Sequence, residues 1–368
     1  MKNIEKEIIA INNKKKNEIK TISNIIHKKI FIYKDSLHIK SIFREYRTLK
    51  TISKKSEYLI ELKDIKLINN NNNFELDFIF QDEGIDLYSL INSEIFDYKN
   101  QHNLIKWILF QILKGLETLH SLNIIHRDIN PHHILISSKG GIKIIGFGRS
   151  ITEIEAKFLN DKVVGNLSYI APECLALQNF SYKIDIWAVG VLMLELYYKK
   201  TNFLISPEDN PKENLNIRFF KQLKYLSNFF NIPFNFNEKN IQKENLISWL
   251  NDAKIEKENF DKIFKDIPDL DDDGLNLLRL LLTFDPKKRC TAKEALKMNY
   301  FKEYQNFNQE ENPKKNKIKD NENISIFLKN LEKEFQKIDA QPEDLKMGYF
   351  KKEIIKIFQN ESIKSDNI

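Results

Sequence analysis

Residues whose side chains could do chemistry concentrate in one short segment, His126-Arg127-Asp128-Ile129-Asn130-Pro131-His132-His133. Asp128 is the only carboxylate in it, and a carboxylate placed to accept a proton is typical of a general base, which contributes about 10²–10⁴-fold to a rate. The three histidines are also of the residue type that binds transition metals. Because adjacent histidines on one loop rarely converge on a single ion, the sequence does not favour metal binding there.

The predicted secondary structure that must position this segment changes along the chain from strands to helices. Residues 1 to about 83 carry short stretches rich in Ile and Phe, with clear alternation from Glu75 to Phe80, and these predict strands. One helix is predicted among them, from Ser41 to Ile52. From Leu104 onward apolar residues recur three and four apart, which predicts helices. The stretch from Ile184 to Leu196 is apolar nearly all round, which predicts a buried helix.

Composition limits the class of protein. The chain has 368 residues, 42% of them hydrophobic and 30% charged, which is enough for a large core. The net charge of +6 is mild, and no pattern of basic and aromatic residues predicts nucleic-acid binding. No apolar run approaches the roughly 18 to 20 residues that cross a bilayer, so no membrane contact is expected. Cys174 and Cys290 lack metal-type spacing, which favours an intracellular location, cytoplasmic or nuclear.

Five segments in a fixed order carry a family resemblance. They are residues 126–133, Ile144-Ile145-Gly146-Phe147-Gly148, Gly165-Asn166-Leu167-Ser168-Tyr169-Ile170-Ala171-Pro172-Glu173, Asp185-Ile186-Trp187-Ala188-Val189-Gly190 and Phe284-Asp285-Pro286-Lys287-Lys288-Arg289. Their order and spacing resemble the catalytic loop, the D-F-G position, the A-P-E segment and later landmarks of the eukaryotic protein kinase superfamily, Ser/Thr type. The resemblance is closest to the group that contains the cyclin-dependent and mitogen-activated kinases.

The resemblance implies an α+β, two-lobed protein kinase fold. We expect residues 1–83 to form a small, mostly-β N-lobe and residues 84–301 to form a large, mostly-α C-lobe. Residues 302–368 lie beyond the resemblance. We expect a linker and a helical tail there, because their apolar residues recur at helical spacing in two stretches.

The resemblance also implies structural roles. Glu173 is expected to pair with Arg289 and so to brace the large lobe. Asp185 is expected to anchor the backbone of the catalytic loop. His126 and Phe147 are expected to pack in an apolar stack. All five residues are present, so the parts that hold the fold together are retained.

Several groups that phosphoryl transfer needs are replaced. Kinases cover the phosphates with a Gly-rich loop and hold magnesium on the D-F-G aspartate and the catalytic-loop asparagine. The first glycine in the chain is Gly84, which lies too late for such a loop. Gly146 and His133 stand at the two metal positions, and neither offers the oxygen that magnesium prefers, so no metal site is predicted. Asn130 replaces the catalytic-loop lysine.

The nucleotide-binding residues are expected on the strand that precedes the predicted helix. Phe31-Ile32-Tyr33-Lys34 resembles the V-A-I-K motif, so Lys34 is expected to pair with Glu45. Ile32 then replaces the small residue that lies against adenine, and its branched side chain is expected to crowd the purine. With these changes Asp128 becomes a vestigial base.

The sequence therefore favours a pseudokinase, a kinase fold without phosphotransfer, that acts as a scaffold or as an allosteric partner. The expected partners are proteins, such as an active kinase or a cyclin-like subunit, with no nucleic acid and no membrane. No cofactor is expected. Two alternatives stay open. One is a divergent active Ser/Thr kinase that transfers phosphate from ATP with magnesium, and the other is a fixed structural subunit of a larger assembly.

Overall fold

The computed structural model describes most of the chain between Ile25 and Gln305. The described residues are 25–31, 36–70, 73–93, 102–137, 140–158, 165–176, 180–236, 243–253, 255–267 and 269–305. They fall into two compact units. The N-terminal unit is described within residues 21–53 and 61–82, and the C-terminal unit within residues 54–60 and 83–305. The predicted helical tail lies outside the described residues, and the predicted domain bounds stay predictions.

Three antiparallel strands form the sheet of the N-terminal unit. They are β1 (Ile25–Phe31), β2 (Leu62–Asn70) and β3 (Asn73–Gln81), in the spatial order β1-β3-β2. The alternating stretch that predicted a strand lies within β3, which confirms that prediction. Phe78 on this central strand is fully buried. The sheet therefore has the apolar face that a strand-rich unit needs for a core.

One helix, α1 (Ser36–Ile52), completes the N-terminal unit. It begins earlier than the predicted start at Ser41. Its buried apolar side chains recur three and four residues apart, as the sequence pattern required: Ile42, Phe43, Tyr46, Leu49 and Ile52.

Helices make up most of the C-terminal unit. They are α2 (Leu87–Ile91), α3 (His102–Ser121), α4 (Glu153–Phe158), α5 (Pro172–Leu175), α6 (Lys183–Tyr198), α7 (Leu215–Phe229), α8 (Lys243–Asp252), α9 (Lys257–Phe264), α10 (Asp272–Leu281) and α11 (Ala292–Ala295). Every residue of α6 from Ile184 to Tyr197 is buried. The prediction of a helix that is apolar nearly all round, and therefore central, is confirmed.

Five short strands position the candidate site within the C-terminal unit. They are β4 (Ile85–Asp86), β5 (Ile124–Ile125), β6 (Ile134–Ile136), β7 (Ile142–Ile144) and β8 (Ile151–Thr152). Strands β4, β6 and β7 form one antiparallel sheet, and β5 pairs with β8. The β6–β7 hairpin therefore starts just after His133 and ends just before Gly146, which brings these distant residues to the same end of the hairpin.

A strand-rich N-terminal unit followed by a mostly helical remainder confirms the expected α+β, two-lobed fold. None of the described helices is both long enough and apolar enough to span a bilayer.

Candidate functional site

Backbone hydrogen bonds fix the path of the loop that carries Asp128. The N–H groups of His126 and Arg127 each donate to a carboxylate oxygen of Asp185 at 2.9 Å, which confirms the anchoring role expected of Asp185. Arg127 has a φ of 68°, in the left-handed region that such residues rarely adopt, so the loop needs this anchor. Burial alone would raise the pKa of Asp185, but the hydrogen bond and charge of His120 outweigh it and hold that pKa below its usual value.

The imidazole of His126 is fully buried and holds the loop from inside. Burial lowers the pKa of His126, so the ring is neutral. Its Nε2–H donates to the carbonyl oxygen of Ile145 at 2.8 Å, while Nδ1 accepts from the backbone N–H of Asp128 at 3.2 Å. The ring also lies 5.0 Å from the ring centre of Phe147. These contacts confirm the packing expected of His126 and Phe147.

The carboxylate of Asp128 is nearly enclosed and already engaged. Its side chain is 10% exposed, and Oδ1 accepts from Nη1 of Arg149 at 3.0 Å. The same oxygen lies 3.3 Å from the amide nitrogen of Asn130, and Oδ2 lies 3.4 Å from Nδ1 of His133. A general base needs an oxygen within hydrogen-bond reach of its substrate's proton. In this structure Asp128 is one partner of an ion pair with Arg149.

Asn130 caps the turn that follows it. Its side-chain oxygen accepts from the backbone N–H of His132 at 3.0 Å, at the start of a 3-10 turn over Pro131–His133. Its amide nitrogen donates to the carbonyl oxygen of Asp128 at 2.9 Å. Asparagine is well suited to this capping role and carries no charge. The residue therefore shapes the loop but supplies no cation.

Gly146 and His133 form a closely fitted pair. Gly146 has φ 84° and ψ 42°, in the left-handed region. A Cβ on residue 146 would lie only 2.4 Å from Cδ2 and 2.7 Å from Nε2 of His133. Nδ1 of His133 lies 2.8 Å from the carbonyl oxygen of Asp128, so it carries a proton and donates to that oxygen, which fixes the ring. The imidazole thus fills the space in which any side chain at position 146 would begin.

Arg149 is the site residue that the sequence analysis missed. It ends the 3-10 turn Phe147–Arg149, immediately after the D-F-G position, and its half-exposed side chain reaches back to Asp128. One signal could have found it. The motif had lost its acidic residue at Gly146, and the catalytic loop had lost its basic residue at Asn130. A new arginine next to the first loss was the candidate to restore the charge.

In the N-terminal unit, Lys28 pairs with Glu45. Nζ of Lys28 in β1 lies 2.6 and 2.8 Å from the two carboxylate oxygens of Glu45 in α1. The structure therefore shows Lys28 as the partner of Glu45, and the expected pair of Lys34 with Glu45 stays a prediction. Lys34 and Ile32 both lie outside the described residues.

An isoleucine also precedes Lys28 by two residues. Side chains alternate along a strand, so Ile26 lies on the same face of β1 as Lys28. Ile26 is 38% exposed. The expected crowding of adenine by Ile32 stays a prediction.

A buried ion pair braces the C-terminal unit, as expected. The guanidinium of Arg289 makes two parallel hydrogen bonds to Glu173, from Nη1 to Oε1 at 2.7 Å and from Nη2 to Oε2 at 2.9 Å. Both side chains are fully buried. Arg289 also donates from Nε to the carbonyl oxygen of Thr283 at 2.8 Å, and its guanidinium lies 5.2 Å from the ring centre of Trp187. These contacts satisfy the charge inside the core.

Similarity to known proteins covers most of the chain. The model of the protein kinase domain matches residues 5–301. The chain belongs to the protein kinase family. It is 28% identical to mitogen-activated protein kinase 13 of Arabidopsis thaliana over 271 residues, which cover 73% of this chain and 70% of that protein. It is 29% identical to mitogen-activated protein kinase HOG1 of Gibberella zeae over 290 residues, 77% of this chain and 73% of that protein.

The expectation of no cofactor is wrong for a member of this kinase family. The similar proteins are mitogen-activated protein kinases, which use ATP and magnesium. ATP with magnesium, the stated alternative, is therefore the cofactor that membership of the family implies. Kinases hold magnesium on the D-F-G aspartate and the catalytic-loop asparagine. Here Gly146 and His133 stand at those positions, and without a side-chain oxygen they do not fit the ion.

Among the residues that the structure describes, no group of three or more His, Cys, Asp or Glu side chains is arranged to hold an ion. His126, His132 and His133 are not grouped in this way. His132 instead stacks on the ring of Tyr88, with 4.1 Å between the ring centres.

Proposed function

We propose that this member of the kinase family has lost efficient phosphotransfer and acts as a pseudokinase, through contacts with a protein partner. The observation that carries the proposal is the fit of His133 against Gly146. A carboxylate at position 146 would have to start where the imidazole ring lies, since a Cβ would come within 2.4 Å of it. The two replacements are therefore mutually adapted. Restoring either one alone would not restore the family's metal ligands.

The state of Asp128 supports the same proposal. A proton acceptor contributes to phosphoryl transfer only when metal and phosphate contacts position the reacting groups. Asp128 is held by Arg149 and by Asn130, and its side chain is 10% exposed. The carboxylate thus has a structural use that does not depend on a substrate, which accounts for its retention in a site without phosphotransfer.

The ion pair of Glu173 and Arg289 indicates that such a protein keeps the fold of its C-terminal unit. Glu173 and Arg289 remain paired in the core, and Asp185 still holds the loop that carries Asp128. These residues preserve the shape of the C-terminal unit, and shape is what binding to a protein partner requires. The proposal concerns the phosphotransfer step. ATP remains the ligand that the family implies, and the proposed setting is intracellular.

Phosphotransfer from ATP, measured with magnesium and separately with manganese, tests the proposal. The full chain is compared with its Asp128→Asn variant on a generic acceptor protein. We expect the two proteins to give the same signal, because no chemistry passes through Asp128. Turnover by the unaltered chain that Asp128→Asn abolishes would overturn the proposal.

A divergent active Ser/Thr kinase is the second candidate, and one observation favours it. The ion pair between Lys28 and Glu45 is intact, and an active kinase needs the pair of strand lysine and helix glutamate in place. The variant Lys28→Met separates the candidates in the same assay. An active kinase loses its turnover, whereas a pseudokinase shows no change.

A further inference from the structure

Two segments that a metal ion joins in active kinases are joined here by protein side chains. In the family, magnesium lies between the D-F-G aspartate and the asparagine that ends the catalytic loop. In this chain the ring of His133 lies on Gly146, and Arg149 reaches Asp128. The same two stretches of chain are therefore in contact through side chains as well as through the backbone hydrogen bond from Ile145 N–H to the carbonyl oxygen of His133.

The contact between Arg149 and Asp128 compensates for a lost charge. The catalytic-loop position where the family carries a lysine is Asn130, which has no charge. Without a cation, the enclosed carboxylate of Asp128 would rely on neutral donors, and burial of an uncompensated charge is costly. Arg149 supplies a guanidinium whose Nη1 lies 3.0 Å from Oδ1 of Asp128. Charge-assisted hydrogen bonds of this kind are stronger than neutral ones.

The neighbouring backbone leaves room for this pair. Gly165 has a φ of 116°, and a Cβ there would lie 3.4 Å from Oδ1 of Asp128 and 3.6 Å from Nη1 of Arg149. The carbonyl oxygen of Arg149 in turn lies 3.4 Å from Nη1 of Arg127 on the catalytic loop. Both the side chain and the backbone of Arg149 thus face the loop.

The segment around Arg149 has other attachments as well. Strand β8 pairs with β5 over two residues, and four residues of the segment are buried: Phe147, Ser150, Ile151 and Ala156. The backbone N–H of Glu153 donates to the carbonyl oxygen of Asn123 at 3.0 Å. The ion pair adds a direct link from this segment to the catalytic loop.

We propose that Arg149 is an internal tie that holds the segment from Phe147 to Phe158 on the catalytic loop without any bound ligand. In this arrangement Arg149 does the joining that the family leaves to the metal. The tie also keeps Oδ1 of Asp128 in an ion pair. This inference stands whether or not phosphotransfer occurs, because it concerns the free protein.

Hydrogen–deuterium exchange of the full chain, free of nucleotide, tests the tie. We expect amides of residues 147–158 to exchange faster in Arg149→Ala, by up to about fivefold, since a partly exposed ion pair is worth up to about 1 kcal/mol. Asp128→Ala should give a similar increase, because it removes the same interaction. The double variant should be no faster than either single variant.

Two further variants guard against a general loss of stability. Arg149→Lys keeps the charge and should stay closer to the unaltered protein. Arg279→Ala removes the ion pair with Asp261, whose Nη2–Oδ1 distance is 2.6 Å, and should leave residues 147–158 unchanged. Unchanged exchange in this segment of Arg149→Ala would overturn the inference. An equal acceleration across α6 would overturn it too, since the effect would then be global.

Discussion

Two ion pairs of the C-terminal unit, Glu173–Arg289 and Asp128–Arg149, differ in how completely the protein encloses them. The first has two parallel hydrogen bonds between side chains that are 0% exposed. The second has a single contact at 3.0 Å, and its arginine is 45% exposed. The first pair was expected from the family resemblance. The second combines a family residue with one that the family does not predict.

The difference shows where sequence change is tolerated. A fully buried pair cannot lose one member without leaving an unpaired charge in the core, so both members persist together. Around Asp128 the enclosure is less complete, since the side chain of Arg149 is 45% exposed and that of His133 is 26% exposed. Gly146, His133 and Asn130 differ from the family, yet each has a defined place and hydrogen bonds or contacts in the new arrangement.

The largest effect is expected from breaking the buried brace. Glu173→Ala leaves the guanidinium of Arg289 uncompensated inside the protein, which should lower the free energy of unfolding by about 3–5 kcal/mol. Urea unfolding of the full chain measures this. Asp261→Ala is the matched control, because its pair with Arg279 is 23% and 35% exposed and should cost about 1 kcal/mol or less. Equal losses in the two variants would remove the distinction between the pairs.

A second buried carboxylate, that of Glu195, accepts hydrogen bonds from neutral donors. Glu195 is fully buried and accepts from the hydroxyl of Tyr169 at 2.6 Å and from the backbone N–H of Phe203 at 3.2 Å. Burial raises the pKa of Glu195 from 4.5 to about 7, and these hydrogen bonds only partly oppose the rise. The folded protein therefore binds this proton more tightly than the unfolded chain does.

This difference makes the stability depend on pH. Because the folded-state pKa is the higher one, the contribution of Glu195 is fully present below about pH 4.5 and is lost as the pH rises towards about 7. The loss amounts to about 3 kcal/mol at most, at about 1.4 kcal/mol for each tenfold change in proton affinity. Glu195→Gln should flatten this part of the pH profile in urea unfolding at pH 5 and pH 7.5. An unchanged profile would show that Glu195 does not titrate there.

Much of the fold could be predicted because apolar spacing depends only on local geometry. The buried helix α6 and the strand β3 followed directly from runs of apolar and alternating residues. The start of α1 at Ser36 could not be found, because its first residues carry no apolar periodicity. The brace between Glu173 and Arg289 joins residues far apart in sequence, and only the family resemblance pointed to it.

The candidate site was less predictable, because its contacts depend on packing. Spacing alone could not choose between Lys28 and Lys34, since each follows an isoleucine two residues earlier. The structure shows the contact of Lys28 with Glu45, whereas Lys34 lies outside the described residues. Arg149 was missed for another reason, that its partner Asp128 had already been given a role.

The coupling between His133 and Gly146, expected at about 1–3 kcal/mol, is the smallest of these effects and gives the sharpest test of mutual adaptation. Two effects should lower the free energy of unfolding of Gly146→Ala. A residue with a Cβ in the left-handed region costs about 1–2 kcal/mol whatever its neighbours are. Crowding against the imidazole adds about 1–3 kcal/mol if the ring cannot move. The ring is held by its hydrogen bond to the carbonyl oxygen of Asp128, so we expect the second cost to be present.

Gly140→Ala isolates the first cost. Gly140 has a similar φ of 78°, but a Cβ there would lie 3.8 Å from its nearest neighbour, Nε1 of Trp107, which is ordinary contact. The excess cost of Gly146→Ala over Gly140→Ala therefore measures the crowding. It should disappear when His133→Ala is present as well, because the ring is then absent, and a double-mutant cycle in urea unfolding reports the coupling directly. If the two glycine variants cost the same, or if His133→Ala gives no relief, Gly146 and His133 are independent replacements. In that case the replacements around Asp128 do not depend on one another energetically, in contrast to Glu173 and Arg289, which are coupled as an ion pair.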